Sequence, residues 1–214
     1  QRQMCIRDSL SIMRRHDPEG RVGLIVDEWG TWYDVEPGTN PGFLYQQNTM
    51  RDAMVAALTL DIFNSHCDRV VMANIAQMVN VLQAVILTDG AKMICTPTYH
   101  VFDLYKAHHD ANYLPSAITC GECSGVKQLT ATASEKEGVI TLTATNTSCT
   151  DALDVVVHLS GASAKNVTAR ILTGDMHDKN TFEDAEKVTV KPFDAVRVTE
   201  TGPVSYTHLR AHET

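Results

Sequence analysis

The hydrophobic pattern of the first half of the chain alternates between helix-like and strand-like segments. Residues 10–15 are typical of the end of a helix, which the Asp-Pro-Glu-Gly breaker at residues 17–20 closes. Residues 22–26 are a continuous apolar run, typical of a strand that is buried on both faces of a parallel sheet, and residues 69–75 (RVVMANI) predict a second buried strand. Between them, residues 44–64 carry apolar side chains at helical spacing.

A third helix is predicted after a long loop that ends near Cys95. Thr96 suits the N-cap position and Pro97 the first helical position, and Tyr99, Phe102 and Tyr105 follow. The order of helix, strand, helix, strand and helix is the rhythm of βα units. It predicts either a doubly wound sheet or a (β/α) barrel.

The second half, from about Tyr113, has a different pattern. It is rich in Thr, Val, Ser, Gly and Asp, and turn residues separate short alternating runs. These runs are residues 128–134, 139–146, 154–159, 167–173 and 187–190. They predict an antiparallel β-sandwich.

The two ends of the chain are related to each other at the level of codons. Residues 4–8, read as ATG TGT ATA AGA GAC, are the reverse complement of codons for residues 204–208. Inverted ends of this kind indicate a sequencing-library adapter, so we exclude residues 1–9 and 203–214 from fold reasoning. The chain then divides into the last βα units, residues 10–112, and a β-sandwich, residues 113–202, which is expected to lack its last strand.

Composition and charge exclude several classes of protein. The hydrophobic share of 43% is ordinary for a globular protein, and no apolar run is long enough for a transmembrane helix. The net charge of -8 argues against a nucleic-acid partner, because such a partner requires a basic face. We therefore expect neither a membrane nor a nucleic acid as partner.

The first candidate for chemistry lies at the end of the first predicted strand. Asp27 and Glu28 follow it directly, and Trp29 and Trp32 come next. Strand alternation places the two carboxylates on opposite faces, so at most one of them reaches a barrel mouth. A carboxylate beside aromatic rings fits a sugar site, where it can attack or stabilise an oxocarbenium-like centre. The alternative, a solvated or helix-capping acidic pair, is equally compatible with the spacing.

The second candidate follows the next predicted strand. Asn74, Gln77 and Asn80 are polar residues at the end of an apolar run, where unpaired amides are costly. Sugar hydroxyls are one class of partner for these amides. Hydrogen bonds to the loop backbone are the alternative, and the spacing alone favours it.

The cysteine and histidine residues indicate no metal site and no cofactor. Cys120 and Cys123 form a lone CxxC pair without further ligands at zinc spacing. His108 and His109 follow an amphipathic helix, where we expect a solvated face.

Four segments of the first half resemble the α-L-arabinofuranosidases of glycoside hydrolase family 51. They are residues 22–33 (VGLIVDEWGTWY), 46–52 (QQNTMRD), 68–80 (DRVVMANIAQMVN) and 96–105 (TPTYHVFDLY). The similarity is collinear over most of the first half, and the second half fits the C-terminal domain of that family more loosely.

The resemblance implies a fold and a set of site residues. The family has a (β/α)8 barrel followed by a β-sandwich, so the expected fold class is α/β plus all-β. Glu28 corresponds to the catalytic nucleophile of a retaining mechanism, and Gln77 to a substrate-binding glutamine. Trp32 is expected in the pocket wall. Gly30 stands where some members have Asn, so no role of that side chain carries over.

The resemblance also implies what this chain lacks. The family's acid/base glutamate lies in an Asn-Glu pair on an earlier strand, and no such pair occurs in this sequence. We therefore expect a fragment of an exo-acting enzyme that releases terminal arabinofuranose, inactive alone, from a homo-oligomeric and cytoplasmic bacterial parent. The alternative is a non-catalytic carbohydrate-binding β-sandwich with a remnant α/β segment.

Overall fold

The computed structural model describes residues 2–148, 150–198 and 204–209 of the chain. The described helices are α1 (Arg2–His16), α2 (Met50–Ser65) and α3 (Pro97–Tyr105), with short 3-10 turns at Pro41–Phe43 and Lys106–His108. The described strands are β1 (Leu24–Trp29), β2 (Val70–Ile75), β3 (Ile86–Asp89), β4 (Lys92–Cys95), β5 (Asn112–Leu114), β6 (Glu122–Cys123), β7 (Val126–Lys127), β8 (Leu129–Lys136), β9 (Val139–Asn146), β10 (Leu153–His158), β11 (Arg170–Ile171), β12 (Lys191–Pro192) and β13 (Val204–Leu209).

The first half contains one βαβ unit. β1 and β2 pair in parallel, with Leu24 opposite Val70 and Trp29 opposite Ile75, and α2 connects them. This pairing confirms both predicted strands, although β1 extends through the two carboxylates that we placed after it. Within the described residues β1 and β2 form a two-stranded sheet, and there is no closed barrel.

We predicted that the two parallel strands are buried on both faces, but the structure buries only one face. Leu24, Val26 and Ala73 pack against the core. In contrast, Val71 and Met72 are 64% and 53% exposed. The prediction is wrong because α2 and α3 cover one face of the sheet, while no element of the described chain covers the other. An apolar sheet face of this kind normally marks a contact with further structure.

The helices begin where their capping residues allow. α2 starts at Met50 rather than near residue 44, because Thr49 and Asp52 form a capping box. α3 starts at Pro97 as predicted, and the Thr96 hydroxyl accepts a hydrogen bond from the Tyr99 N–H. The region before it is not a continuous loop, since β3 and β4 form an antiparallel hairpin there.

The hydrophobic core lies between the three helices and the parallel strands. Its buried members are Ile6, Leu10, Trp29, Met50, Ala53, Ala56, Ala57, Phe63, Val101, Tyr105 and Val188. Val188 comes from the second half of the chain. In addition, the carbonyl oxygens of Met176 and Asp178 accept hydrogen bonds from the first two N–H groups of α2. The two halves therefore share one core.

The second half is built of short antiparallel strands. β8 and β9 confirm two predicted strands and, with β5, form a three-stranded sheet. β10 confirms a third and pairs with β13. Residues 167–173 contribute only the two-residue strand β11, and residues 187–190 contain no strand, so these two predictions are wrong. At the second of these, Val188 is buried in an irregular segment whose backbone is bonded to the Asn180 side chain, so burial rather than strand pairing explains the apolar run.

Two buried titratable groups join the helices to the β8–β9 hairpin. The Asp61 carboxylate on α2 accepts hydrogen bonds from Tyr105 (2.8 Å), Thr130 (2.6 Å) and Thr132 (2.7 Å). Burial raises the pKa of Asp61, and these three hydrogen bonds oppose the shift. We expected His108 on a solvated face. Instead, its ring nitrogens contact the hydroxyls of Ser134 and Thr143. Burial lowers the pKa of His108.

Candidate functional site

A β-bulge near the end of β1 determines where Glu28 lies. Val26 lies opposite Ala73 and Trp29 opposite Ile75, so three residue steps in β1 span two in β2. Strict alternation would place residue 28 on the core side with Leu24 and Val26. The extra residue instead brings Trp29 into the core, and both Asp27 and Glu28 are exposed. Strand alternation alone therefore does not describe this end of β1.

The carboxyl ends of the two parallel strands are level with each other. The Ala76 N–H donates to the Trp29 carbonyl oxygen over 2.8 Å. Glu28 directly precedes this bonded pair and Gln77 directly follows it. Both side chains are exposed, and within the described residues neither forms a hydrogen bond or an ion pair. An exposed carboxylate and an exposed amide thus lie at one edge of the sheet, where ligands bind in α/β folds.

The two tryptophans have different environments. Trp29 is buried, stacks on Phe102 with ring centroids 6.0 Å apart, and meets the edge of Phe63 at 5.5 Å. It cannot offer a face to a sugar ring. Trp32, the third residue of the loop after β1, is 67% exposed and offers an accessible aromatic surface.

The polar residues after β2 divide into two groups. Asn80 bonds to Thr88, donating to its side chain (2.9 Å) and carbonyl (3.2 Å) and accepting from its N–H (2.7 Å). For Asn80 the alternative of loop bonding is therefore correct. Asn74 and Gln77 are exposed, and no hydrogen bond from either side chain is found in the described part of the chain.

A buried polar network lies under this edge. The Thr31 N–H donates to Gln83 Oε1 (2.8 Å), and the Thr31 hydroxyl lies 2.5 Å from the same oxygen and 2.8 Å from Asp52 Oδ1. Gln83 Nε2 donates to the Thr98 hydroxyl at 3.1 Å. The Asn48 amide in turn bonds to Thr98. The network connects the loop after β1, the starts of α2 and α3, and the segment after β2.

The loop that carries Trp32 is also held on its other side. The Tyr33 N–H donates to Gln46 Oε1 at 2.8 Å, and Gln46 Nε2 donates to the Thr31 carbonyl at 3.3 Å. The guanidinium of Arg51 lies over the Tyr33 ring, 3.7 Å from its centroid. A cation at this distance attracts the ring face, so Trp32 is flanked by two anchored residues.

Sequence reasoning missed this supporting network, although two signals for it were present. Gln83 is a single polar residue in the apolar run of residues 81–85, which requires hydrogen-bond partners if it is buried. Thr49 and Asp52 have the spacing of a capping box. No sequence signal predicts that Thr31 joins these residues, because the contact spans the fold.

The cysteines and acidic residues bring together no metal site in the described part of the chain: no group of three or more His, Cys, Asp or Glu is close enough to hold an ion. Cys120 donates weakly to the Leu129 carbonyl, and Cys123 is exposed in the β6–β7 hairpin. Among the described helices, none is long and apolar enough to cross a membrane.

The exposed carboxylate and amide lie at the strand ends of a βαβ unit, and comparison with known proteins assigns the chain to a family. The family model for the α-L-arabinofuranosidase C-terminal domain matches residues 27–210. The chain belongs to this family.

Individual relatives agree with the family assignment. The chain is 45% identical over 200 residues to an intracellular exo-α-L-arabinofuranosidase of Bacteroides ovatus, covering 90% of this chain and 39% of that protein. An intracellular exo-α-(1→5)-L-arabinofuranosidase of Streptomyces lividans is 26% identical, with coverages of 81% and 29%. The chain thus spans about two fifths or less of these relatives.

A solved structure is similar over nearly the whole chain. The crystal structure of the family 51 arabinofuranosidase from Xanthomonas axonopodis pv. citri superposes with a TM-score of 0.89 at 43% identity. The similarity covers 98% of this chain and 43% of that protein.

Proposed function

We propose that this chain is the C-terminal part of a retaining, exo-acting α-L-arabinofuranosidase and carries its nucleophile. The observation that carries the proposal is the level pairing of the strand ends through Ala76 and Trp29, which brings Glu28 and Gln77 to one edge. The intracellular exo-α-L-arabinofuranosidase of Bacteroides ovatus, 45% identical, supports the reaction class.

Each candidate residue has a role that suits its chemistry. The Glu28 carboxylate attacks the anomeric carbon, the bond to the leaving oxygen breaks, and an arabinosyl ester forms. Water then attacks the anomeric carbon of this ester, the bond from that carbon to Glu28 breaks, and arabinose leaves with retained configuration. Gln77 hydrogen-bonds a sugar hydroxyl, and Trp32 packs against the apolar face of the ring. Because Glu28 forms no hydrogen bond or ion pair in the described residues, its oxygens are free for this attack.

The same proposal explains why the two halves of the chain have different hydrophobic patterns. Residues 10–112 are the last βα units of a (β/α)8 barrel, and residues 113–202 are a β-sandwich. The parallel β1–α2–β2 crossover supports the first assignment, and the antiparallel β5–β8–β9 sheet supports the second. The exposed apolar face that includes Val71 and Met72 is then covered by the remaining barrel strands.

The chain alone supplies one of the two carboxylates that the reaction needs. A retaining pair has its carboxyl groups about 5–5.5 Å apart, one acting as nucleophile and the other as acid and then base. We place the acid/base glutamate on an earlier barrel strand of the parent. This chain is therefore inactive by itself. A carbohydrate-binding module would need no carboxylate at a strand end, so the placement of Glu28 favours the enzyme.

The substrate and setting follow from the relatives and from charge. We assign terminal arabinofuranosyl units of arabinan, arabinoxylan or their oligosaccharides as substrate, without cofactor or metal. The relatives from Bacteroides and Streptomyces are named intracellular, which supports a cytoplasmic parent. We expect this parent to be a homo-oligomer. The net charge of -8 gives no support to a nucleic-acid partner.

We also propose that residues 1–9 and 203–214 are translated adapter. Ile6 in α1 is 4% exposed, and the family match runs to residue 210. Sequencing the gene directly from the source genome tests this proposal. Different codons at both ends are expected, and an unchanged genomic sequence would contradict it.

Azide rescue of the nucleophile variant tests the proposed function. In the full-length enzyme, Glu28→Ala should lower kcat on a nitrophenyl α-L-arabinofuranoside on the order of 10⁴-fold. Added azide should enter the vacated space, form a bond to the anomeric carbon and expel the phenolate. Because this is a single displacement, the product should be the β-configured arabinosyl azide.

The neighbouring carboxylate is the matched control. Asp27 is exposed on the same bulge, so Asp27→Ala should change kcat by less than about tenfold and give no azide product. An α-configured azide from Glu28→Ala would make Glu28 the acid/base group instead. An unchanged kcat in Glu28→Ala would refute its catalytic role.

A further inference from the structure

The segment that directly follows the proposed nucleophile is fixed by one buried side chain. Gln83, which is 1% exposed, accepts from the Thr31 N–H at 2.8 Å and lies 2.5 Å from the Thr31 hydroxyl. Thr31 is three residues from Glu28 and adjacent to Trp32. A backbone and a side-chain contact to one oxygen hold both the position and the rotamer of Thr31.

The chain passes close to Gln83 at residue 30, where a side chain would make a tight contact. Gly30 has φ +146°, and a Cβ there would lie 3.1 Å from both Cβ and Cγ of Gln83. Most residues cannot adopt this backbone conformation without strain. Gly30 in this sequence thus allows the loop to pack directly on the stem of Gln83.

Gln83 belongs to the segment that follows Gln77. Ala76 at its start is bonded to the Trp29 carbonyl, and Val85 at its end donates to the Met78 carbonyl at 2.9 Å. Gln83 is itself held, because its Nε2 donates to Thr98 at the start of α3. It therefore joins the two segments that carry Glu28 and Gln77.

A second anchor fixes the Thr31 hydroxyl from the helix side. Asp52 Oδ1 lies 2.8 Å from this hydroxyl, while Asp52 Oδ2 accepts from the Thr49 N–H and hydroxyl. Asp52 is fully buried at the first turn of α2. The hydroxyl can donate to either Gln83 or Asp52, and in both cases it ties the loop to a buried, immobile acceptor.

We propose that Gln83, acting through Thr31, is a positioning residue for the nucleophile. It sets the distance between the Glu28–Trp32 segment and Gln77, so that the carboxylate and the sugar-binding amide face the same substrate. This inference rests on the proposed function. Reacting groups must be held close to their productive geometry, and a displacement of about 1 Å can cost on the order of 10²-fold in rate.

Isosteric substitutions in the full-length enzyme test this proposal. Thr31→Val removes the hydroxyl, and Gln83→Met removes the shared acceptor while keeping its volume. Each should lower kcat about 10–100-fold, with KM changed less than about threefold, because the bound sugar is misaligned rather than lost. Thr31→Ser keeps the hydroxyl and should restore kcat to within about threefold of the wild type.

Thr132→Val is the matched control. The Thr132 hydroxyl donates to the buried carboxylate of Asp61 at 2.7 Å, just as the Thr31 hydroxyl contacts the buried carboxylate of Asp52. Thr132, however, lies on β8, away from the ends of the parallel strands. It should lower the Tm as much as Thr31→Val does and leave kcat unchanged. If Thr31→Val and Gln83→Met keep the wild-type kcat while Glu28→Ala is inactive, the positioning role is refuted and the nucleophile stands. If Glu28→Ala remains active, the proposed function itself is wrong, and the positioning role falls with it.

Discussion

The Ala76 N–H donates to the Trp29 carbonyl oxygen over 2.8 Å, at the point where both parallel strands end. This bond makes the two strand ends level, and the bulge before it turns Glu28 out of the core. The two features explain how residues that are 49 positions apart in sequence, Glu28 and Gln77, come to the same edge. Four predictions follow from this edge and from the parts that hold it.

Trp29 should be a main source of stability for the strand end. It is 2% exposed and contacts both Phe63 and Phe102. Trp29→Ala should lower the free energy of unfolding by about 3–5 kcal/mol, because it leaves a large cavity. Trp29→Phe should cost clearly less. Urea unfolding of the full-length variants measures this difference, and equal losses for both would contradict the packing role.

An added methyl group should destabilise the protein more at Gly30 than at Gly90, although both glycines have a positive φ. Gly30→Ala introduces a contact with Gln83 in addition to backbone strain, and should cost about 2–3 kcal/mol. Gly90, with φ +57°, has no atom within 4 Å of its would-be Cβ, so Gly90→Ala should cost about 1 kcal/mol. Thermal unfolding compares them. A Gly90→Ala loss as large as that of Gly30→Ala would show that the close contact with Gln83 is unimportant.

Asp61 should make stability fall as the pH rises from about 4 to neutral. Burial raises the pKa of Asp61 above its ordinary value of 3.8, so over this range the folded state binds a proton that the unfolded state has released. The stability it contributes is present below the unfolded pKa and is lost as the pH rises through the folded pKa. Asp61→Asn does not titrate, so the Tm of this variant should gain on the wild type over that range. A Tm difference that is constant from pH 4 to pH 7 would contradict the raised pKa.

Met72 should be a contact with the rest of the parent enzyme. It is 53% exposed on the open face of the parallel strands, and Met93 in β4 is 62% exposed. Met72→Lys should raise the soluble yield of the isolated chain but reduce folding of the full-length enzyme, because it places a charge in a covered interface. Met93→Lys is the control, and should leave the full-length enzyme folded. Normal yield of full-length Met72→Lys would contradict the proposal that barrel strands of the parent cover this face.

Local signals in the sequence predicted the elements whose stability is local. The Thr96-Pro97 start of α3 follows from capping and the fixed φ of proline. The apolar runs of β1 and β2 and the alternation of β8 and β9 were also sufficient. The start of α2 was placed too early, although the Thr49–Asp52 capping box marks it.

Features that depend on pairing and packing were not predictable in this way. The bulge in β1 arises from its register with β2, so alternation along one strand did not predict that Trp29 is buried while Asp27 and Glu28 are both exposed. His108 was expected in solvent, and its partners Ser134 and Thr143 come from strands distant in sequence. Val188 suggested a strand, but it is buried by tertiary contacts.

Covalent trapping tests the central claim most directly. An arabinofuranoside that carries fluorine next to the anomeric carbon and a good leaving group forms the glycosyl ester quickly but hydrolyses it slowly. After incubation of the full-length enzyme, peptide mass spectrometry should find the added sugar mass on Glu28. A label on Asp27 or on any other carboxylate would contradict the assignment of the nucleophile.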